Sequence, residues 1–283
     1  MNRLLTYLAF VRFSHTVFAL PFALTGALLA WRTQPFSWWQ VFWILVCMVA
    51  ARSAAMGFNR LVDARFDALN PRTAMRELPR GVMSNREAAL FVLVSSIVFI
   101  VAAGRLSLLC LVLSPVALTI VFWYSLAKRY TAYTQLFLGL AMAVAPVGGW
   151  IAAGGRAGAD PWLLGLAIGL WVGGFDILYA CQDVDFDRAH GLRSIPARFG
   201  IRCAIQLSRV MHVATIVTMG ALWRAAELPW LYLAGVVVVA ALLTYEQSLV
   251  NEHDLSQVRR AFDLNGYVGI IYFAATAISL VVG

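Results

Sequence analysis

Long apolar stretches alternate with short polar ones along almost the whole chain. They fall at 16–32, 38–57, 88–104, 106–125, 134–153, 161–180, 203–223, 228–247 and 264–282. Each is close to the ~20 apolar residues that an α-helix needs to cross a ~30 Å hydrocarbon core. The pattern predicts an all-α, polytopic bundle of nine transmembrane helices, forming a single transmembrane domain over 1–283. The boundary between the third and fourth runs rests on Gly104-Arg105 alone. The first run is too long, and too uninterrupted around Leu20-Pro21-Phe22, for a cleaved signal peptide, and it reads as the first span.

Composition agrees with a lipid-embedded chain: 61% of the residues are hydrophobic and 13% charged, with a mean hydropathy of +0.78. The basic residues then orient it, because cytoplasmic loops retain Lys and Arg. Arg3 and Arg12 precede the first span, and Arg60, Arg65, Arg72, Arg76, Arg80 and Arg86 cluster after the second. Lys128 and Arg129 follow the fourth, Arg188, Arg193, Arg198 and Arg202 the sixth, and Arg259 and Arg260 the eighth. The opposite loops hold only Arg32, Arg105, Arg156 and Arg224. The N-terminus is therefore expected in the cytoplasm and the C-terminus outside. The net charge of +8 is a topology signal, and no nucleic-acid partner is needed to account for it. Cys47, Cys110, Cys181 and Cys203 lack C-x-x-C spacing, and the four histidines never recur at i, i+4, so zinc and disulfide frameworks are disfavoured. Any metal must be held by oxygen.

The scarce acids are concentrated. Asn59-x-x-x-Asp63-x-x-x-Asp67 and Asp183-x-Asp185-x-Asp187 each lie just past a long apolar run, on the predicted cytoplasmic side, with arginines downstream. They read as matching halves of one site, and their placement after spans two and six hints at a four-helix repeat. Residues four apart share a helix face, so Asn59, Asp63 and Asp67 project together if the second span continues through them, with Arg52 and Met56 below. The sixth span repeats this with Asp176, Tyr179, Asp183 and Asp187. Carboxylates gathered at a helix C-terminus repel one another and the helix dipole. Mg²⁺ suits such a set, because it takes one or two carboxylates and fills its remaining positions with water and phosphate oxygens. One Asp-x-x-x-Asp at a span end can be plain solvated loop charge; the pairing of two carries the reading.

Around the acids lie groups suited to a diphosphate. Arg72, Arg76 and Arg80 follow the first cluster at four-residue spacing, and guanidinium is a bidentate phosphate partner as well as a topology marker. Tyr124-Ser-Leu-Ala-Lys128 ends in the chain's only lysine, either a snorkelling anchor or a point charge for a departing diphosphate. Arg193-Ser194 stands in a comparable place after the second cluster. Arg52 and Asp176 lie within spans, where ionisable groups mark function. Either they neutralise each other, or Arg52 holds an acceptor carboxylate and Asp176 meets its hydroxyl or a ring proton.

At these residues the chain resembles the UbiA superfamily of intramembrane prenyltransferases. The resemblance rests on Asn59-Arg-Leu-Val-Asp63-Ala-Arg-Phe-Asp67, on Asn70-Pro-Arg-Thr73 through Arg76-Glu-Leu-Pro79-Arg-Gly81, on Tyr124 to Lys128, and on Tyr179-Ala-Cys-Gln-Asp183-Val-Asp-Phe-Asp187 through Ser194 and Phe199-Gly200. It implies nine helices around a central cavity in a bacterial inner membrane, two Mg²⁺ ions and a polyprenyl diphosphate. By carry-over, Asn59, Asp63, Asp67, Asp183 and Asp187 become metal and diphosphate ligands, assisted by Tyr124, Lys128 and the arginines after the first motif. Among subgroups the chain is similar to 4-hydroxybenzoate polyprenyltransferases and to futalosine-route menaquinone enzymes. Arg12-Phe-Ser-His15-Thr-Val-Phe-Ala-Leu-Pro21-Phe departs from the Arg-Pro-x-Gly-Thr pattern of the former and is more similar to the latter. Both acceptors are aromatic acids, which a cationic contact from Arg52 or Arg12 would suit. A multi-spanning transporter of a small polar or anionic solute is the competing class. It would spread charge through several spans at midplane, whereas here the acids gather at span ends.

Overall fold

The computed structural model describes residues 3–11 and 13–282, and for 4, 5, 8 and 13–19 the backbone alone. In chain order the helices are α1 (Arg3–Phe10), α2 (Phe13–Ala30), α3 (Trp38–Leu69), α4 (Asn85–Leu106), α5 (Leu108–Tyr130), α6 (Thr134–Ala152), α7 (Asp160–Ala180), α8 (Val184–Ala189), α9 (Ile195–Phe199), α10 (Ile201–Ala225), α11 (Trp230–Ser248) and α12 (Val258–Val282). A single 3₁₀ turn, Cys181–Asp183, joins α7 to α8. Among the described residues eight helices are long and apolar enough to cross a membrane, and α2, apolar over Leu20–Ala30, stands where the first run was expected. The all-helical, polytopic expectation is met, and each apolar run becomes one helix.

Two boundaries shift for local reasons. α3 does not stop with its apolar run but continues to Leu69, where the Asn70 N–H still bonds the Phe66 carbonyl at 3.1 Å. The break between α4 and α5 lies at Ser107 rather than Gly104-Arg105. Ser107 is extended (φ −164°) and its Oγ accepts the Cys110 N–H at 3.1 Å, so one residue ends a helix and caps the next. α4 itself opens on a capping box: Ser84 Oγ accepts from the Glu87 N–H, and Glu87 Oε2 accepts from the Ser84 N–H at 2.9 Å.

The chain divides into two compact units, Met1–Leu20 with Ser37–Leu126, and Pro21–Phe36 with Ala127–Gly283. In the first, α3 packs along α4, with Cys47 against Ala102 and Ala103. Phe58 stacks on Phe122 of α5 with ring centroids 4.5 Å apart. Fully buried Phe10 closes the α1 end against Met83 and Ala88, edge-on to Phe91. Leu90, Leu93, Val94, Ile97 and Val101 of α4 and Leu108, Val112 and Val116 of α5 are exposed, as side chains solvated by lipid are.

In the second unit, small residues set the helix approach. A Cβ on Gly26 would strike the Pro146 carbonyl and one on Gly149 the Ala23 carbonyl, so the later half of α2 crosses α6 backbone to backbone. Gly139 meets Gly169 in the same way where α6 packs on α7. α7 is the unit's core helix, also packed against α10 and α12. Its fully buried Trp171 sits edge-on to Phe22 at 5.2 Å and donates Nε1–H to Asn265 Oδ1 of α12 at 2.6 Å. A Tyr232–Tyr272 hydroxyl pair at 2.8 Å ties α11 to α12.

Candidate active site

In the first unit, the extension of α3 turns a sequence spacing into a shared face. Asn59, Asp63 and Asp67 come at successive turns of one uninterrupted helix. Asp63 is 3% and Asp67 6% exposed, which is rare for carboxylates. Asn59 Nδ2 donates to Asp63 Oδ2 at 3.3 Å and to Ser125 Oγ of α5 at 3.4 Å. Ser125 is not marked by sequence pattern although it sits inside Tyr124–Lys128; a small hydroxyl beside a tyrosine has no charge to draw notice. Tyr124 is half-buried on the same helix.

Segment 70–83 folds back over the end of α3. Asn70 Oδ1 accepts the Arg72 N–H at 2.9 Å, and its carbonyl accepts the N–H groups of Thr73 and Ala74, so the chain turns immediately after the helix. Buried Thr73 then donates Oγ1–H to the Asp67 carbonyl at 3.1 Å. Arg76 Nη1 donates to both carboxylate oxygens of Asp67, at 2.7 and 2.8 Å. Arg76, one of the three arginines singled out by spacing, thus bonds the acidic cluster; Arg72 and Arg80 are exposed. Arg52, half-buried, lies further back on α3.

The second unit repeats the plan with different parts. The stripe expected to run from Asp176 through Tyr179 to Asp187 is broken, because α7 ends at Ala180 and the 3₁₀ turn carries Asp183. Three residues at 120° instead of 100° rotate α8 by roughly 60° relative to a continuous helix. Asp176 remains on α7, half-buried, and Tyr179 packs against Phe262 of α12 with centroids 4.6 Å apart. Asp183 and Asp187 are half-buried and Asp185 is exposed. The loop after α8 returns to Asp187 as segment 70–83 returns to Asp67. The Leu192 N–H bonds the Asp187 carbonyl at 2.9 Å, and buried Ser194 donates Oγ–H to Asp187 Oδ2 at 2.8 Å. Ser194 Oγ also accepts the Ala197 N–H at 3.3 Å, capping α9. Arg193 is exposed and donates Nη1–H to the Tyr130 carbonyl at 2.6 Å, while its own N–H bonds the Lys128 carbonyl at 2.8 Å. These two bonds fasten the half-buried Lys128 to the second acidic loop. Gln135, buried and unmarked by any sequence motif, accepts the Ile195 N–H through Oε1 at 3.2 Å. Arg12 lies outside the described residues.

Among the described residues no three His, Cys, Asp or Glu side chains gather as one metal cage. Each unit instead presents a pair of carboxylates one turn apart. All the donors are oxygen, as a hard cation that keeps water or phosphate in its shell requires. The Arg76 nitrogen, nearly equidistant from both oxygens of Asp67, already marks a place where positive charge is favoured.

Residues 19–274 match the model of the UbiA prenyltransferase family. The 4-hydroxybenzoate octaprenyltransferase of Citrobacter koseri is 32% identical over 244 residues, covering 84% of each chain. The apo structure of a UbiA homolog from Aeropyrum pernix K1 superposes with a TM-score of 0.86 at 36% identity, over 94% of this chain and 98% of that one. A UbiA homolog from Archaeoglobus fulgidus bound to GPP and Mg²⁺ shares the fold, with a TM-score of 0.71 at 18% identity, over 96% and 99%. With these matches, this chain belongs to the UbiA prenyltransferase family and is an integral membrane prenyltransferase.

Proposed function

We propose that the chain transfers a polyprenyl group from a polyprenyl diphosphate to an aromatic acid, 4-hydroxybenzoate or a similar acceptor, with Mg²⁺ as cofactor, in ubiquinone or menaquinone biosynthesis. The observation that carries this is the buried pair Asp63 and Asp67, held at successive turns where α3 leaves its apolar run. The acceptor class is supported by the name of the Citrobacter koseri relative.

In this reading Asn59, Asp63 and Asp67 of the first cluster, and Asp183 and Asp187 of the second, would be the metal ligands. When bound, Mg²⁺ neutralises the diphosphate and makes it a better leaving group. Arg72, Arg76, Arg193, Tyr124 and Lys128 bind or steady the phosphate oxygens, with Lys128 supplying a point charge. The allylic C–O bond breaks and its electron pair leaves with the diphosphate. A ring carbon of the acceptor attacks the allylic cation, a C–C bond forms, and the ring proton passes to a base such as the Asp176 carboxylate, restoring the aromatic ring. Exclusion of water protects the cation from hydrolysis. Arg52 and Arg12 hold the acceptor carboxylate, Asp176 meets its hydroxyl or ring proton, and Tyr179 lines the acceptor side. The acidic loops face the cytoplasm of a bacterial inner membrane, in keeping with the arginine distribution.

The test is purified protein supplied with a long-chain prenyl diphosphate and Mg²⁺, offered 4-hydroxybenzoate and a futalosine-derived naphthoate in parallel, with products identified by mass. A prenylated aromatic acid that disappears in EDTA is expected. No product from either acceptor, or undiminished product in EDTA, would overturn the reading.

A further inference from the structure

Arg76 occupies the place on Asp67 that a cation would need. Its Nη1 lies 2.7 Å from one carboxylate oxygen and 2.8 Å from the other, so it sits between them where a chelated ion would sit. Both side chains are largely shielded, with 21% of Arg76 and 9% of Asp67 exposed, so water screens the contact little. The same aspartate holds segment 70–83 a second time, through the Thr73 hydroxyl on its carbonyl. The contact that neutralises Asp67 therefore also fastens the segment after it. A divalent ion reaching these oxygens would meet a guanidinium at contact distance, and one of the two has to move.

From this we infer that Arg76 is an exchangeable counter-ion: it occupies Asp67 while the site lacks substrate, opposes binding of a divalent cation alone, and transfers to the diphosphate when metal and diphosphate arrive together. The inference rests on the proposed role of Asp67 as a metal ligand. A ligand that removes the opposition to another raises its affinity, and the linkage is reciprocal. Metal and diphosphate should accordingly bind with positive cooperativity, and Arg76 should be its source. Free Mg²⁺ would then leave Asp67 and its loop largely undisturbed, and the donor–metal complex would be the species that repositions segment 70–83.

The test uses full-length protein in detergent with Mn²⁺ as a paramagnetic probe, protein-bound ion being counted by EPR after equilibrium dialysis, with and without inorganic diphosphate. The Mn²⁺–diphosphate complex formed in solution is then the same on both sides of the dialysis membrane. With wild type, diphosphate should tighten Mn²⁺ binding by about tenfold or more, the scale of one charge-assisted contact. In Arg76→Ala, Mn²⁺ alone should bind about tenfold tighter than in wild type, and the enhancement by diphosphate should shrink. Arg76→Lys keeps the charge without the bridging geometry and should fall between them, which also guards against misfolding of the alanine variant. Mn²⁺ binding alone that is unchanged or weaker in both arginine variants would overturn the counter-ion. Asp67→Asn separates the two ideas. If it weakens Mn²⁺ binding while the arginine variants do not strengthen it, the counter-ion fails and the metal site stands; if it changes nothing, the metal role of Asp67 fails and the counter-ion fails with it.

Discussion

At the scale of single residues, the last aspartate of each acidic cluster is held by the loop beyond it. Asp67 is held by Thr73 and Arg76, and Asp187 by Leu192 and Ser194. Partners that orient a ligand matter nearly as much as the ligand, because a carboxylate free to rotate must be ordered again at each turnover. Asp63→Ala or Asp183→Ala should lower Mg²⁺-dependent prenyl transfer by about a hundredfold or more, with membrane insertion intact, as product formation and membrane fractionation would register. Ser194→Ala loses both the bond to Asp187 and the cap of α9. It should cost about 1 kcal/mol of stability and about tenfold in activity; Ser194→Thr should restore much of both. Full activity in Ser194→Ala would show that Asp187 needs no such support.

At the scale of elements, the apolar runs translated directly into helices because lipid tolerates little else over that length, and the helical period alone places Asn59, Asp63 and Asp67 on one face of α3. The break in the second cluster was not legible. Ala180 to Val184 contains neither Gly nor Pro, so nothing local announces the 3₁₀ turn that ends α7 and carries Asp183. The roles of Thr73, Ser125 and Gln135 were not legible for a related reason: Thr73 and Ser125 lie inside motifs and Gln135 outside any, yet each role comes from what the side chain touches, and a lone hydroxyl or amide forms no pattern. Glycines illustrate the same point. Gly148 and Gly149 are adjacent in sequence, yet a Cβ at Gly148 would meet nothing within 4 Å, whereas one at Gly149 would strike the Ala23 carbonyl. Gly149→Ala should therefore destabilise the protein in detergent by about 1–3 kcal/mol. Gly148→Ala should be neutral or stabilising by up to about 1 kcal/mol. Equal melting temperatures for the two variants would contradict the close crossing of α2 over α6.

At the scale of the whole molecule, the distribution of charge makes a claim that no single contact can. The helix ends and loops on the predicted cytoplasmic side hold 16 of the 22 basic residues, while the connections between α2 and α3, α4 and α5, α6 and α7, and α10 and α11, with the helix ends beside them, hold only Arg32, Arg105, Arg156 and Arg224. Such asymmetry fixes orientation during insertion. Under the proposed function, a diphosphate donor made in the cytoplasm would require Asp63, Asp67, Asp183 and Asp187 to open to that side. The expectation is testable without any assay of catalysis. With Cys47, Cys110, Cys181 and Cys203 replaced by serine or alanine, a single cysteine at exposed Arg80 or His253 should react with a membrane-impermeant maleimide only in inside-out vesicles, and one at Gly158 only in right-side-out vesicles or intact spheroplasts. Labelling of Arg80→Cys from the outer face would invert the topology and place the acidic clusters where no cytoplasmic donor could reach them.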